Sequence, residues 1–375
     1  MKLVVVGLGQ CGGRIADEFA KLNSRAKSRR GMTIVTGTFA VNTDAADLSG
    51  LSAIANDHRH RILIGSRKTG GHGVGKINEL GAEVAKDDAD KIVDAIRTTK
   101  RFYDTDAFLL IAGTAGGTGS GAISVVSQHL KERYIDKPVW NLLVLPFEHE
   151  ESTEERTVFN VATCLKSCYS VADAVFLIDN EMYQTEDLVK GDYTEINRKI
   201  VEPFYNLLCA GAEKRKKHIG AKLLDAGDIM QTLGGWTAIG SGRIDLPVTL
   251  GSILPGGLGK RSSGTSNGIR AMDEAIGELS WLCRPEDAAN ALYLIAAPAQ
   301  EIDVDLIRAL ADYLKKAAPN AIIRSGDYPV GRGMIEVTVI LSRLTDVARV
   351  RYFYSRSAGP PGERTEPIEK GTEEA

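Results

Sequence analysis

The stretch Ala112-Gly113-Thr114-Ala115-Gly116-Gly117-Thr118-Gly119-Ser120-Gly121 combines five glycines with three small hydroxyl residues. A backbone stripped of bulky side chains can wrap an oxyanion and turn its N–H groups toward it. The flanks suit that chemistry. Ala107 to Ile111 reads as a buried parallel strand, and Ala122 to Leu130 as a helix with Ile123, Val125, Val126 and Leu130 on its apolar side. An anion in a strand-to-helix turn meets unpaired N–H groups and the positive end of the helix dipole. A second turn of this kind is Gly7-Leu8-Gly9-Gln10-Cys11-Gly12-Gly13, between a strand at Lys2 to Val6 and a helix from about Arg14 to Leu22. It spells G-x-G-x-x-G, which taken alone suits the pyrophosphate of NAD or FAD as well as another phosphate. A third, Gly70 to Lys76, nearly spells a P-loop, but Ile77 stands where a P-loop needs Ser or Thr to hold magnesium. The P-loop reading is therefore rejected.

Phosphate turns imply a nucleotide, and two amides offer to read its base. An Asn amide carries a donor and an acceptor side by side. That arrangement matches the edge of guanine, and Asn180 and Asn197 are available. Tyr193 precedes Asn197 by one helical turn, so a ring could stack on the base while the amide reads its edge. From the residues alone, the reading favoured is Asn180 as a helix cap and Tyr193 as an ordinary core or surface aromatic. Asp44, in Asn42-Thr43-Asp44-Ala45 at the end of a strand, could serve a ribose or a phosphate-bound cation. Hydrolysis needs a cation on the phosphates and a group that orients water. Asp225 and Asp228 carry the remaining acidic chemistry, with helix N-capping as the plain alternative. The six histidines form no HExxH, and Cys164 and Cys168 have no matching pair, so no protein-built metal site is expected.

Gly116-Gly117-Thr118-Gly119-Ser120-Gly121 resembles the signature loop of the tubulin/FtsZ superfamily, and Gly9-Gln10-Cys11-Gly12 resembles the first phosphate loop of tubulin. Asn42-Thr43-Asp44-Ala45 resembles the matching FtsZ loop. Thr69, Gly71, Gly73 and Gly75 match the FtsZ loop that senses the terminal phosphate, with Lys76 where FtsZ has glycine. Pro146-Phe147-Glu148-His149-Glu150 resembles the segment whose Glu contacts the ribose, and Arg156 is a displaced counterpart of an arginine that follows it. Asp179-Asn180-Glu181 and the Tyr193/Asn197 spacing resemble tubulin base-binding segments. The resemblance implies GTP or GDP held by Gly9, Gln10, Cys11, Gly12, Gly13, Arg14, Asp44, Gly73, Gly75, Gly116 to Gly121, Glu150, Asn180, Tyr193 and Asn197. Mg²⁺ would be held mainly by phosphates and water. It also implies filaments assembled head to tail, with Asp225 and Asp228 entering the next subunit's nucleotide site, although Leu223 replaces the family's Asn. Mixed tubulin-like and FtsZ-like wording resembles the archaeal CetZ branch, which is associated with cell shape. Two other readings stand beside it: an NAD-dependent oxidoreductase built on Gly7, Gly9 and Gly12, and a nucleotide-binding scaffold without turnover.

The elements that must position these residues imply an α/β fold. A Rossmann-like nucleotide-binding domain with a parallel sheet is expected over residues 1–190. A long central helix follows over 191–222, kinked at Pro203. An α+β domain with a mixed sheet should occupy 223–356, with helices at 269–282 and 304–318 and strands at 291–297, 321–325, 334–342 and 348–354. The last residues, 357–375, are rich in Pro, Gly, Glu and Thr and read as a disordered tail. Lys21 to Gly31 reads as a solvated basic loop, and Gly251 to Gly268 as a Gly/Ser-rich surface loop. A net charge of −3 gives no bulk electrostatic case for nucleic acid. No run approaches the roughly 20 apolar residues of a membrane span. With no signal peptide read at the start and five unpaired cysteines, a reduced cytoplasmic protein is expected.

Overall fold

A computed structural model describes residues 1–184, 193–213, 220, 222–246, 261–331 and 333–357. Among the described residues ten strands form one sheet in the order β3-β2-β1-β4-β5-β6-β7-β10-β8-β9. The first six are β1 (Leu3–Leu8), β2 (Val35–Asn42), β3 (Arg61–Leu63), β4 (Ala107–Gly113), β5 (Val139–Leu145) and β6 (Ala174–Asp179), all parallel. β7 (Gly235–Asp245) pairs parallel with β6 through three residues, Ala174 to Phe176. β10 (Met334–Leu344) then runs antiparallel between β7 and β8 (Asn290–Ala297), and β9 (Ile322–Pro329) lies parallel to β8 at the far edge. The parallel first half and the mixed second half are thus one continuous sheet.

Both faces are covered, which is why the strands read as unbroken apolar runs. Along β1 the side chains alternate, Val4, Val6 and Leu8 into one core and Leu3 and Val5 into the other. α1 (Gly9–Arg30), α2 (Ala45–Ser49), α9 (Thr194–Val201), α10 (Phe204–Ala210) and α11 (Ala226–Thr232) contribute to the core of Leu3 and Val5. The other core takes side chains from α4 (Asn78–Asp87), α5 (Ala89–Arg97), α6 (Thr118–Arg133), α8 (Glu155–Val171), α12 (Arg261–Gly277), α13 (Val304–Ala317) and α14 (Ala348–Arg356). The short helices α3 (Ser66–Thr69) and α7 (Glu148–Thr153) stand near strand ends.

Several sequence expectations change. The basic segment 21–30 continues α1, with Lys27, Arg29 and Arg30 in the last turn, where cations suit the dipole, and Gly31 closing it at φ 60°. The expected strand 348–354 is helical: Val350 and Phe353 are its buried residues, and β10 already has neighbours on both sides. β7 escaped notice because glycines dilute its pattern. A Cβ on Gly240 or Gly242 would lie 2.2 Å from Ala275 O or 2.1 Å from Ala271 O, so α12 presses on a strand that must stay bare. Residues 261–268 of the expected surface loop open α12, and a Cβ on Gly268 would strike Leu306 of α13. α4 and α5 meet at Asp88, whose carboxylate accepts from Gly65 N. The central helix divides into α9 and α10 at Glu202-Pro203. Of the residues expected in that helix, 191, 192, 214–219 and 221 lie outside the described residues, as do 251–260 of the expected surface loop and the expected tail beyond Ser357.

Candidate functional site

An open cleft of about 460 Å³ lies beyond the C-terminal ends of β1, β2, β4, β5 and β6. This is where ligands bind in parallel α/β sheets. Two helices begin at its floor, α1 at Gly9 and α6 at Thr118, and neither N-terminus has a side-chain cap. Their first-turn N–H groups are therefore available to an anion. The two glycine turns touch. Gly9 has φ 71°, and a Cβ there would stand 2.9 Å from Gly119 N. Gly116 faces open space, with no atom within 4 Å of where its Cβ would be. Gly9, Gln10, Cys11, Arg14, Gly116, Thr118 and Gly119 all line the cleft.

The third turn closes over this floor. Gly73 N donates to Thr43 O, Ala45 N donates to Gly71 O, and Thr43 and Thr118 join their hydroxyls at 2.6 Å. Asp44 caps α2 by accepting from Ala46 N and Asp47 N, and it lines the cleft with Gly73. At the other end Glu150, Asn180, Tyr193 and Asn197 come together. Asn197 N donates to Tyr193 O, so the two side chains share a helical face, and the Tyr193 ring stands 6.2 Å from Phe147. Glu150 accepts from Phe147 N at 2.9 Å. The Cys11 thiol is pushed up to about 12 by burial, with the nearby Glu150 carboxylate adding to the effect, and stays neutral.

Six expected phosphate-loop residues do not line the cleft, and packing explains them. A Cβ on Gly12 would meet Ile111 O at 2.1 Å, and one on Gly121 would meet Asn78 O at 2.0 Å, so both glycines let helices approach backbone. Gly117 is pressed against Val74 and the Lys76–Ile77 peptide, and Gly13 faces Ala40 and Leu51. Gly75 keeps the third turn at φ 59°. Ser120 is buried and donates its hydroxyl back to Gly116 O. The sequence reading missed Asn42, Asp47 and Thr157. The Asp47 carboxylate accepts from Gln10 Nε2 and Asn42 Nδ2 at 2.8 and 2.9 Å on the cleft wall. Thr157 lines the cleft with a buried hydroxyl that has no hydrogen-bond partner among the described residues. The spacing of Asp47 after Asn42 could have been noticed, but nothing local marks Thr157.

Residues 2–185 match the model of the tubulin/FtsZ family GTPase domain, and residues 186–358 match that of the tubulin-like CetZ C-terminal domain. The tubulin-like protein CetZ1 of Haloferax volcanii is 33% identical over 94% of this chain and 90% of its own length. The chain belongs to the tubulin-like CetZ family. The CetZ protein of Thermococcus kodakarensis is 30% identical, over 95% of this chain and 87% of its own. Among solved structures, the GDP-bound monomer of CetZ1 from Haloferax volcanii superposes with a TM-score of 0.80 at 31% identity, covering 95% of this chain and 98% of that one. A GTPγS-bound protofilament of CetZ2 from the same organism gives 0.78 at 29%, covering 95% and 97%. Members of this family are GTPases, and the oxidoreductase reading, which accounted for the first turn alone, is set aside.

Asp225 and Asp228, the acids that the FtsZ resemblance singled out, stand far from the cleft of their own chain. They cap α11 reciprocally, Asp225 Oδ1 accepting from Asp228 N at 2.8 Å, and Asp228 lies 3.6 Å from Arg324 Nε. Ile229 of α11 and Met1 both close on Gly211, beside the start of β1, whereas Leu8 at its end lines the cleft. β1 rises about 3.3 Å per residue, so roughly 20 Å of sheet separates them. The α9–α10 pair spans the same interval, from Asn197 in the cleft to Leu208, whose carbonyl accepts from Met1 N.

Proposed function

We propose that this chain binds GTP in the cleft and assembles head to tail, each subunit offering Asp228 and Asp225 to the nucleotide held by its neighbour. The observation that carries this reading is the placement of the cleft and the acids at opposite ends of the parallel strands. A second copy stacked along the strand direction would bring the two together. The protofilament of a similar CetZ protein supports stacking as the mode of self-association. Asn180 and Asn197 would read guanine, Tyr193 would face the ring, Glu150 would take the ribose, and the N-termini of α1 and α6 would take the phosphates. Asp228, on the first turn of α11, would orient the attacking water.

Among the described residues no three His, Cys, Asp or Glu side chains gather as metal ligands. A Mg²⁺ held mostly by phosphate oxygens and water fits this cleft, with Asp44 as an outer partner. When bound it would neutralise charge building on the phosphates. We place the filaments in the cytoplasm, in control of cell shape, by the same family likeness. No helix of the described residues is long and apolar enough to cross a membrane.

The test is sedimentation with GTP, GDP and ATP, with phosphate release followed in parallel across protein concentration. Pelleting and a specific activity that rise together with GTP are expected. Pelleting without phosphate release would mean a scaffold without turnover. A specific activity flat from well below to well above the assembly threshold would mean that the site is complete within one chain.

A further inference from the structure

Arg349, on the first turn of α14 in the second half of the chain, reaches back to the nucleoside end of the cleft. Its Nη2 donates to Glu151 Oε1 at 2.5 Å, and its Nε lies 3.0 Å from Asp179 Oδ2. The side chains of the two carboxylates are 3% and 8% exposed, and that of Arg349 is 19% exposed. Tyr352 and Phe353 of the same helix flank the guanidinium, their ring centres 5.5 and 5.1 Å from it. Burial pushes Glu151 and Asp179 upward, and the guanidinium opposes that shift on both.

Each carboxylate is one residue from a cleft-lining side chain: Glu151 follows Glu150, and Asp179 precedes Asn180. The two segments also meet directly, Glu148 N donating to Glu181 Oε1 at 2.6 Å. Without the guanidinium, two buried carboxylates would face each other and the segments bearing them would part. Among the described residues no hydrogen bond or ion pair joins this cluster to Gly9, Gly116 and Gly119 of the phosphate floor.

We propose that Arg349 is a positioning residue for the nucleoside. By clamping Glu151 to Asp179 it fixes the separation of Glu150 and Asn180, and so couples the seat of α14 to recognition of base and ribose. This rests on the reading of Glu150 and Asn180 as nucleoside contacts. By linkage, a bound guanine nucleoside in turn tightens the seat of α14.

The test compares GTP and ATP affinities by calorimetry below the assembly threshold, for the wild type, Arg349→Met, Arg349→Lys and Asn180→Leu. Arg349→Met should lower the ratio of GTP to ATP affinity by about tenfold, because ATP gains nothing from the guanine-reading amide. Arg349→Lys, a single point charge that cannot span both carboxylates, should lower it less, and it serves alone if Arg349→Met does not fold. A merely structural ion pair would weaken both nucleotides by the same factor and leave the ratio unchanged, which would overturn the proposal. If Asn180→Leu lowers the ratio while both Arg349 variants keep it, the clamp fails and the nucleoside reading stands. If Asn180→Leu also keeps it, the nucleoside reading itself is wrong.

Discussion

Two glycines of the same turn should fail in opposite ways. At Gly121 an added methyl would stand 2.0 Å from Asn78 O and 2.6 Å from Ala82 N, both backbone atoms of α4. Reaching ordinary contact requires α4 to retreat by about 1.4 Å. Overpacking of this kind costs about 1–3 kcal/mol, of which the better helix propensity of Ala returns up to about 1. Gly121→Ala should therefore unfold at lower denaturant, with nucleotide affinity falling only as far as α4 drags the cleft. At Gly116 the methyl meets nothing within 4 Å, and φ lies outside the left-handed region. Gly116→Ala should match the wild type in stability or gain about 0.4–1 kcal/mol through a less mobile unfolded chain. Its methyl would instead occupy the space a phosphate needs. Losing a hydrogen bond to a charged group costs about 1.5–3 kcal/mol, roughly tenfold to a hundredfold in affinity. Denaturant titration followed by circular dichroism, paired with GDP calorimetry, reads both quantities. Unchanged GDP affinity in Gly116→Ala would refute the phosphate floor as described, and a fully stable Gly121→Ala would refute the packing argument.

Asn197→Leu should weaken GTP by about 1–3 kcal/mol and narrow the GTP/ATP ratio, read by competition binding; equal wild-type affinity for the two nucleotides would dismiss the amide reading. Asp228→Ala should keep GTP affinity, lose turnover and give longer-lived filaments in light scattering, and full turnover would remove Asp228 from the reaction. It should also lose a little stability, because the reciprocal cap with Asp225 goes with it. Asp17 links stability to pH. Burial works to raise its pKa, but the Ser52 hydroxyl and the N–H groups of Ile54, Ala53 and Ser52 outweigh burial and hold it below the usual carboxylate range. A depressed folded-state value gives stability that is present above the unfolded pKa of about 3.9 and lost as pH falls through the folded one. Asp17→Asn should thus be less stable at pH 7 and converge on the wild type in acid; stability curves that stay parallel down to about pH 2 would contradict this.

The glycine turns were legible because the same residues carry both packing and ligand approach, and the sequence marks each by composition. What composition could not do was divide the two duties. Gly116 and Gly121 look alike as letters, and only the position of α4 separates them. Strands β1 and β4 were legible as apolar runs because both faces of the sheet are covered. β7 was not, since its glycines answer to α12, more than twenty residues away in sequence. The 348–354 stretch was misread because β-branched and aromatic residues suit strands only where an edge is open to receive them. Asp179 lies in a segment that the resemblance marks, but nothing local ties it to Glu151 and Arg349; their partnership exists only once α14 is folded onto the first half.

The outer edge of β9 is closed by the short segment that leads into α11. Asp327 N donates to Lys222 O, Lys222 N donates back to Asp327 Oδ1, and Leu224 lies over Gly326. At the opposite edge β3 is three residues long, and Pro329 ends β9. A protein that grows by stacking its ends must not also stick by its sides, and open strand edges are the readiest place for that to happen. Here the strap over β9 is also the arm that carries Asp225 and Asp228. If Asp228 and Asp225 serve the neighbouring nucleotide as proposed, a chain whose arm has slipped would lose its competence to hydrolyse and bare an adhesive edge in the same event. Misfolded subunits would then leave the pool as precipitate rather than enter filaments as silent defects.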